Sequence, residues 1–236
     1  AGIAADNYPF CTIEPNVGVV ELPDPRLQQL AQIIDPERIV PAIVEFVDIA
    51  GLVKGASQGE GLGNKFLTHI REVDAIIQVV RCFEDADVHH VGGHVDPVSD
   101  IEVINTELML ADLDSVKKRR ERLGKDIKRG DKLAAAEDAV LEKIETALDA
   151  GKPVLTVELT DEERVLSAPL FLLSDKPTIF ACNVLDAELA TADVNPFVRK
   201  VRDYVGTHLA CEAVVISAQI ESDLVDLAPD EAQAFL

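Results

Sequence analysis

The sequence predicts an α/β fold in which a mostly parallel sheet carries an inserted α-helical hairpin. Short apolar runs rich in β-branched residues alternate with helical patterns, and this alternation is typical of βαβ units. In the middle of the chain, a long, charged and wholly helical stretch interrupts the alternation. The length of 236 residues is sufficient for one large core, so both features fit a single domain with an insertion.

Five strands are predicted, each an apolar run of ordinary strand length. They are Val17–Leu22, Ala42–Asp48, Ala75–Arg81, Thr178–Asn183 and Ala213–Ser217. The fourth run follows Pro177 and is nearly all apolar, which is typical of a strand that is covered on both faces. We therefore expect this strand to lie at the centre of the sheet.

Helical periodicity appears between these runs. The predicted helices are Pro25–Ile34, Gly63–Glu72, Asp161–Leu173 and Pro196–Leu209. The middle stretch, Asp100–Ala150, predicts two long helices that are broken at Arg129-Gly130-Asp131, which is an αα-hairpin. The predicted organisation is therefore a main domain in two parts, residues 1–99 and 153–236, with a helical hairpin inserted at residues 100–152.

Charge is unevenly distributed along the chain. There are 43 acidic and 22 basic side chains, and the resulting formal net charge of −21 disfavours DNA as a partner because the protein repels polyanions at long range. Nine basic residues are nevertheless concentrated around the predicted hairpin turn: Lys117, Lys118, Arg119, Arg120, Arg122, Lys125, Lys128, Arg129 and Lys132. Such a cluster can contact phosphate locally, and the alternative is a solvated helical surface.

The cysteines and the apolar runs indicate the compartment. Cys11, Cys82, Cys182 and Cys211 lie far apart and form no C-x-x-C pair, so reduced thiols are expected rather than a zinc site. No apolar run reaches the roughly 20 residues of a membrane span, and no leader precedes Ala1, so we expect a cytoplasmic protein. Because the chain lacks an initiator methionine, we also expect that residues are missing from its start.

The first functional motif follows the second predicted strand. Asp48 ends this apolar run and Gly51 comes three residues later, which gives the pattern D-x-x-G. An acid at a strand's carboxyl end can hold Mg²⁺ through water, and a glycine N–H can approach a terminal phosphate because no Cβ blocks it. Five glycines fall within residues 51–63, and such a flexible loop is typical of a nucleotide-sensing switch.

Three further signals occur in the order expected of a nucleotide-binding domain. Thr12 precedes the first strand and can add a hydroxyl ligand to Mg²⁺. Asn183 and Asp186 form an N-x-x-D pattern after the fourth strand, where an amide and a carboxylate can read a base edge. Ser217-Ala218 follows the last strand, where backbone N–H groups can complete the base pocket. Together the four signals predict a nucleotide site with Mg²⁺.

Four strings make the sequence similar to a known family. They are NYPFCTIEPN at residues 7–16, EFVDIAGLVKGAS at 45–57, GEGLGN at 59–64 and DIEVINTEL at 100–108. They resemble the Obg-like ATPase (YchF) family, in the translation-factor class of P-loop NTPases. The resemblance covers almost the whole chain and implies a P-loop NTPase G domain with an inserted helical hairpin, which hydrolyses ATP in association with ribosomes.

Two parts of that family's pattern are missing from this sequence, the Walker A loop and the C-terminal TGS domain. The nearest approach to G-x-x-x-x-G-K-S/T begins at Gly59, but Asn64 replaces the second glycine and Phe66 replaces the hydroxyl residue. A true P-loop supplies a nest of N–H groups and a lysine for the phosphates. We therefore expect this chain by itself to bind nucleotide poorly and to be inactive.

The resemblance assigns roles to seven of the motif residues. It implies Thr12 and Asp48 for Mg²⁺, Gly51 for the γ-phosphate, Asn183 and Asp186 for the base, and Ser217 with Ala218 for the wall of the base site. The family usually has Glu where Asp186 stands, and Val184 replaces the lysine of the N-K-x-D motif of GTPases. We expect ATP as the nucleotide, with GTP as the alternative.

Leu52 stands where Ras-like enzymes have a water-orienting glutamine, and an aliphatic side chain cannot position water. The family resemblance points instead to the loop histidine His90, rather than His89, as the catalytic group. The alternative is an exposed loop histidine without a role.

A different class of function also fits the sequence. In this interpretation the chain is a noncatalytic module that binds the ribosome or another protein through its basic hairpin. Under either interpretation, we expect the tip of the hairpin to contact the ribosome or ribosomal RNA.

Overall fold

The structure is a computed structural model that describes residues 16–49, 62–85, 94–209, 211–225, 227 and 231, with residues 62–65 described by their backbone alone. The chain divides into two compact units, residues 1–51 and 52–236, and each is described by itself. The predicted division at residues 99 and 152 stays a prediction.

In the first unit, two antiparallel strands are connected by a helix. Strand β1 (Asn16–Glu21) pairs with β2 (Ile43–Asp48) in a register that places Asn16 opposite Asp48. Helix α1 (Pro25–Ile34) begins at Pro25 because the Asp24 carboxylate accepts the N–H of Arg26 at 2.9 Å and proline suits the first helical position. The sequence predicted these three elements to within one residue.

The second unit contains a parallel sheet of three strands in the order β3-β4-β5. These strands are β3 (Ile76–Arg81), β4 (Thr178–Asn183) and β5 (Glu212–Ile216). Because Asn183 pairs with both Arg81 and Ile216, the carboxyl ends of the three strands meet at one edge. The predicted parallel arrangement is confirmed for this sheet.

The two faces of the three-stranded sheet differ in burial. One face is covered by α6 (Pro196–His208), which buries Val198, Val201 and Val205 against Phe180 because these valines recur at helical spacing. The other face includes Ile179, which is 43% exposed among the described residues. Ala181, on the same face as Ile179, is only 4% exposed, so the prediction of a strand covered on both faces holds in part, and the strand is central.

The hairpin consists of α3 (Pro97–Lys128) and α4 (Lys132–Asp149). Gly130 turns the chain with a φ of 87°, a conformation that glycine adopts without steric cost. Asp131 then caps α4 by accepting the N–H groups of Leu133 and Ala134 at 2.9 and 3.2 Å. An apolar seam joins the two helices through Val116, Leu123, Val140, Leu141 and Ile144. The predicted break at residues 129–131 is confirmed.

The helix predicted at Asp161–Leu173 is shorter in the structure. Helix α5 (Asp161–Ser167) is followed by 3₁₀ turns at Ala168–Leu170 and Leu173–Asp175. Pro169 explains the early end of the helix because it has no backbone N–H to donate, and Phe171, with a φ of 47°, then turns the chain out of helical geometry. The remaining helices are α2 (Leu62–Glu72) and α7 (Ala218–Val225), and the sequence analysis missed α7.

Two observations concern the cysteines and the membrane. Cys82 and Cys182 are buried free thiols and Cys211 is a half-buried one, while Cys11 lies outside the described residues. Among the helices of the described residues, none combines the length and apolar character needed to cross a membrane.

Candidate nucleotide-binding site

The edge of the sheet where β4 and β5 end brings together three of the predicted base-site residues. Asn183 ends β4, while Ser217 and Ala218 follow the neighbouring strand β5. The side-chain Oδ1 of Asn183 accepts the backbone N–H of Ala218 at 2.9 Å. The next residue, Val184, donates its N–H to the carbonyl of Ile216 at 3.0 Å, which continues the strand pairing past the end of β4.

The contact with Ala218 determines which way the Asn183 amide points. A backbone N–H can only donate, so the carbonyl oxygen of the side chain must face Ala218. The Nδ2 group has no hydrogen-bond partner among the described residues. The site therefore offers an N–H donor to an acceptor on a ligand, such as N7 of a purine.

Ser217 has a local structural role in this arrangement. It is 2% exposed, and its hydroxyl accepts the N–H of Ile220 at 3.4 Å, which caps the start of α7. The cap holds the backbone of Ala218 at the edge of the sheet. A serine directly before a helix is a sequence signal of such a cap, although the sequence analysis did not predict α7.

Asp186 lies on the exposed turn that follows β4. Its Oδ1 accepts the N–H of Ala187 at 2.7 Å, at the start of a 3₁₀ segment, Asp186–Val194. Its second carboxylate oxygen has no partner in the part of the chain that the structure describes. This oxygen is available to accept a hydrogen bond from an amino group of a ligand.

Sequence analysis missed Asn195, a buried residue behind this edge of the sheet. Its Nδ2 donates to the carbonyl of Cys82 at 3.1 Å and to Glu188 Oε2 at 3.3 Å. Its Oδ1 accepts the N–H of Phe197 at 2.8 Å and so caps α6. The Asn-Pro pair at the helix start could have indicated the cap, but no sequence signal pointed to the contacts with Cys82 and Glu188.

Asp48 is the predicted Mg²⁺ ligand that the structure describes. It is the exposed last residue of β2, and its carboxylate makes no hydrogen bond or ion pair with another described residue. An exposed carboxylate without an internal partner fits the hard oxygen ligands that Mg²⁺ prefers. Thr12, Gly51 and His90 lie outside the described residues.

Four of the nine basic residues in the predicted cluster are paired with acidic residues within the hairpin. Four cations on the shaft form ion pairs: Lys117 with Asp149 at 3.5 Å, Lys118 with Asp114 at 2.7 Å, Arg119 with Glu137 at 2.6 Å, and Arg120 with Asp138 at 2.8 Å. Arg120 also contacts Glu145 at 2.7 Å. Hydrogen bonds to Asp138 and then Glu145 raise the pKa of the Arg120 guanidinium. Because their charges are already paired, we expect these four residues to bind a polyanion weakly.

The remaining basic residues lie nearer the turn. We call Arg122, Lys125, Lys128 and Lys132 the tip cations. All four are exposed, and none forms an ion pair with another described residue. Arg129 pairs with Asp126 at 3.3 Å but stays largely exposed. Leu133 is 75% exposed beside them. Free positive charge is thus concentrated at the turn of the hairpin.

A family model and curated relatives both match this chain. A family model described as 50S ribosome-binding GTPase matches residues 2–118. The chain is 50% identical over 236 residues to the ribosome-binding ATPase YchF of Bacillus subtilis and 51% identical to that of Haemophilus influenzae. Both matches cover 100% of this chain and 64% of the relative, so the chain spans less than two thirds of these proteins.

The fold has a counterpart among solved structures. A structure described as the YchF GTPase of Schizosaccharomyces pombe matches with a TM-score of 0.78 and 34% identity. The match covers 97% of this chain and 62% of that one, and it confirms the expected P-loop NTPase fold. Since the sequence and fold similarities both extend along essentially the whole chain, this chain belongs to the YchF family.

Proposed function

We propose that the protein containing this chain is a nucleotide-hydrolysing switch that converts ATP to ADP and phosphate and associates with ribosomes in the cytoplasm. The observation that carries the proposal is the hydrogen bond between Asn183 and Ala218. It joins two motifs that are 35 residues apart in the sequence and leaves an amide donor for a base. The ATPase and GTPase names of the relatives support the same reaction class.

ATP is the proposed nucleotide, and GTP is the alternative. Val184 is 2% exposed and packs in the core of the three-stranded sheet. A lysine at this position packs beneath the guanine-binding loop in GTPases, and valine cannot make the same contacts. Asp186 offers a carboxylate acceptor that suits the exocyclic amino group of adenine or of guanine, so the preference for ATP rests on Val184.

We assign the phosphate chemistry to residues of the switch segments. Thr12 and Asp48 would hold Mg²⁺, and Gly51 would contact the γ-phosphate. When bound, Mg²⁺ would neutralise part of the negative charge of the phosphates. His90 would orient the attacking water, since Leu52 cannot. The exposed Asp48 carboxylate, without a described partner, supports this assignment.

For the chain by itself we propose little or no hydrolysis. Its sequence contains no complete G-x-x-x-x-G-K-S/T motif, so the N–H nest and lysine that hold the β- and γ-phosphates are not supplied by its residues. Activity assays therefore require the full-length gene product.

The proposed partner surface is the turn of the hairpin, which would contact the ribosome or ribosomal RNA. The tip cations support this proposal because they are exposed and form no ion pair within the described part of the chain, whereas Lys117, Lys118, Arg119 and Arg120 on the shaft have acidic partners. The same surface favours the second candidate function, a noncatalytic ribosome-binding module. ATP hydrolysis by the full-length gene product would exclude that alternative.

One substitution tests the base site without disturbing the fold. Asn183→Asp keeps an oxygen that accepts the Ala218 N–H but replaces the Nδ2 donor with a negative oxygen. Calorimetric titration of the full-length gene product should show at least tenfold weaker ATP binding and an unchanged melting temperature. Equal affinity of the variant and the wild type would contradict the proposed base site.

A further inference from the structure

Asn195 lies behind the base site and is only 9% exposed. Its Oδ1 accepts the N–H groups of Phe197 and Val198 at 2.8 and 3.3 Å, which is an ordinary helix cap for α6. A serine could make this cap equally well. The Nδ2 group adds two contacts that a helix cap does not require.

The first of these contacts leads to Asn183. Asn195 Nδ2 donates to the carbonyl oxygen of Cys82 at 3.1 Å. The N–H of Cys82 in turn donates to the carbonyl oxygen of Asn183 at 2.8 Å. The backbone of a single residue, Cys82, therefore connects Asn195 to the strand end that presents the base-reading amide.

The second contact leads to the turn that carries Asp186. Asn195 Nδ2 donates to Glu188 Oε2 at 3.3 Å, and the N–H of Glu188 donates to the carbonyl of Leu185 at 3.0 Å. Asp186 lies between these two turn residues. Among the described residues, its own side chain bonds only to the adjacent Ala187, so the carboxylate has no long-range anchor of its own.

We propose that Asn195 is a positioning residue for base recognition, because its Nδ2 group holds the Asp186 turn in register with Asn183. The inference rests on the proposed nucleotide-binding function. It assigns to Asn195 no contact with the nucleotide. Its effect is confined to the base, because both Nδ2 contacts lead to the two residues assigned to the base.

Asn195→Ser in the full-length gene product tests the proposal. Serine retains the helix cap, but its single hydroxyl cannot replace the two Nδ2 contacts. Affinities are measured by calorimetry for ATP and for inorganic tripolyphosphate, which has no base. We expect about tenfold weaker ATP binding, because the substitution removes both Nδ2 hydrogen bonds that position the Asp186 turn, and tripolyphosphate binding within twofold of wild type. Equal losses for the two ligands, or unchanged ATP affinity, would overturn the proposal.

A rescue pair separates positioning from simple destabilisation. Asn195→Asp keeps the cap but places a carboxylate against Glu188 and the Cys82 carbonyl, so ATP binding should fall further than in the serine variant. Adding Glu188→Gln supplies an amide donor from the opposite side and should restore at least half of the lost binding free energy. Failure of the second substitution to restore ATP binding would contradict the role of the Glu188 contact.

Thr160→Ala provides the control for stability. It removes the capping box of α5, in which Thr160 and Glu163 bond reciprocally, and Thr160 makes no contact with the base-site residues. It should lower the melting temperature without changing ATP affinity. If the wild-type protein binds no nucleotide, the proposed function fails and this inference fails with it. If the wild type binds ATP and Asn195→Ser binds it equally well, only this inference fails.

Discussion

The carboxylate of Asp112 accepts two hydrogen bonds from Ser174, one from the backbone N–H and one from the hydroxyl, each at 2.7 Å. Asp112 lies in the first hairpin helix, is fully buried, and also accepts the N–H of Leu173 at 2.8 Å. Ser174 belongs to the turn that leads into β4. The base of the hairpin is thus attached to the strand whose far end carries Asn183.

We predict that Asp112→Ala lowers the free energy of unfolding by about 3 kcal/mol. The substitution leaves three buried donors without an acceptor, and each such loss is expensive inside a protein. Urea titration of the isolated chain measures the change. Asp114→Ala is the matched control, because Asp114 is exposed on the same helix and, among the described residues, pairs only with Lys118. Its expected effect is below about 0.5 kcal/mol, and equal effects of the two substitutions would contradict the role of Asp112.

The pH dependence of Asp112 gives a separate prediction. Burial raises the pKa of this carboxyl above its ordinary value of 3.8, outweighing the hydrogen bonds from Ser174 and Leu173 that lower it. Because the folded-state pKa is the higher one, protonation favours the folded state. The stability of wild type relative to Asp112→Asn should therefore increase as the pH falls through the raised pKa toward 3.8. A relative stability that decreases on acidification would show that the hydrogen bonds dominate.

The base preference is tested by competition between nucleotides. Because Val184 cannot replace the lysine of the guanine-binding motif, the full-length gene product should bind ATP at least as tightly as GTP. Competition calorimetry measures the ratio. Asp186→Glu introduces the acid that the family usually has and should retain ATP binding. A strong preference for GTP would overturn the assignment of ATP.

Hydrolysis should be separable from binding. We predict that His90→Ala in the full-length gene product lowers kcat by about 10²-fold, as expected for the loss of one positioned catalytic group, and leaves ATP affinity nearly unchanged. Steady-state turnover and calorimetry measure the two quantities. His89→Ala is the neighbouring control and should retain turnover. Unaltered turnover in the His90 variant would remove His90 from the mechanism.

Ribosome association should depend on the tip cations and not on the shaft cations. The double variant Lys125→Gln with Lys128→Gln removes two charges that have no ion-pair partner among the residues the structure describes. Lys117→Gln with Lys118→Gln removes two paired charges from the same helix. Each lost phosphate contact should reduce the slope of log affinity against log salt by about 0.7 to 0.9. The tip variant should therefore co-sediment less with ribosomes at low salt and show a shallower salt dependence.

The shaft variant is the charge-matched control in that experiment. It should co-sediment almost as well as wild type, because its two lysines already have acidic partners in the hairpin. If the tip variant and wild type co-sediment equally, the basic residues of the hairpin are a solvated helical surface and not a ribosome contact. A larger loss in the shaft variant would place the contact on the shaft instead.

Local sequence signals determined most of the secondary structure. Helix α1 and strand β4 have the predicted bounds, because a cap with a proline and a β-branched apolar run act over a few neighbouring residues. The motif residues Asn183 and Asp186 could likewise be found from their spacing after a strand. The motifs also indicated roles for Thr12 and Gly51, and the family resemblance added the role of His90; all three remain predictions.

Only the tertiary structure decided which of these residues act together. Arg119 is neutralised by Glu137 from the facing helix, and Asn195 reaches Cys82, which is 113 residues away in the sequence. A sequence pattern records the residue types but not the side chains that packing brings within hydrogen-bond distance. The sequence by itself therefore determined the elements, the family and the candidate residues. The packing of the hairpin and the parallel sheet decided which cations stay free and how the base-reading amide is oriented.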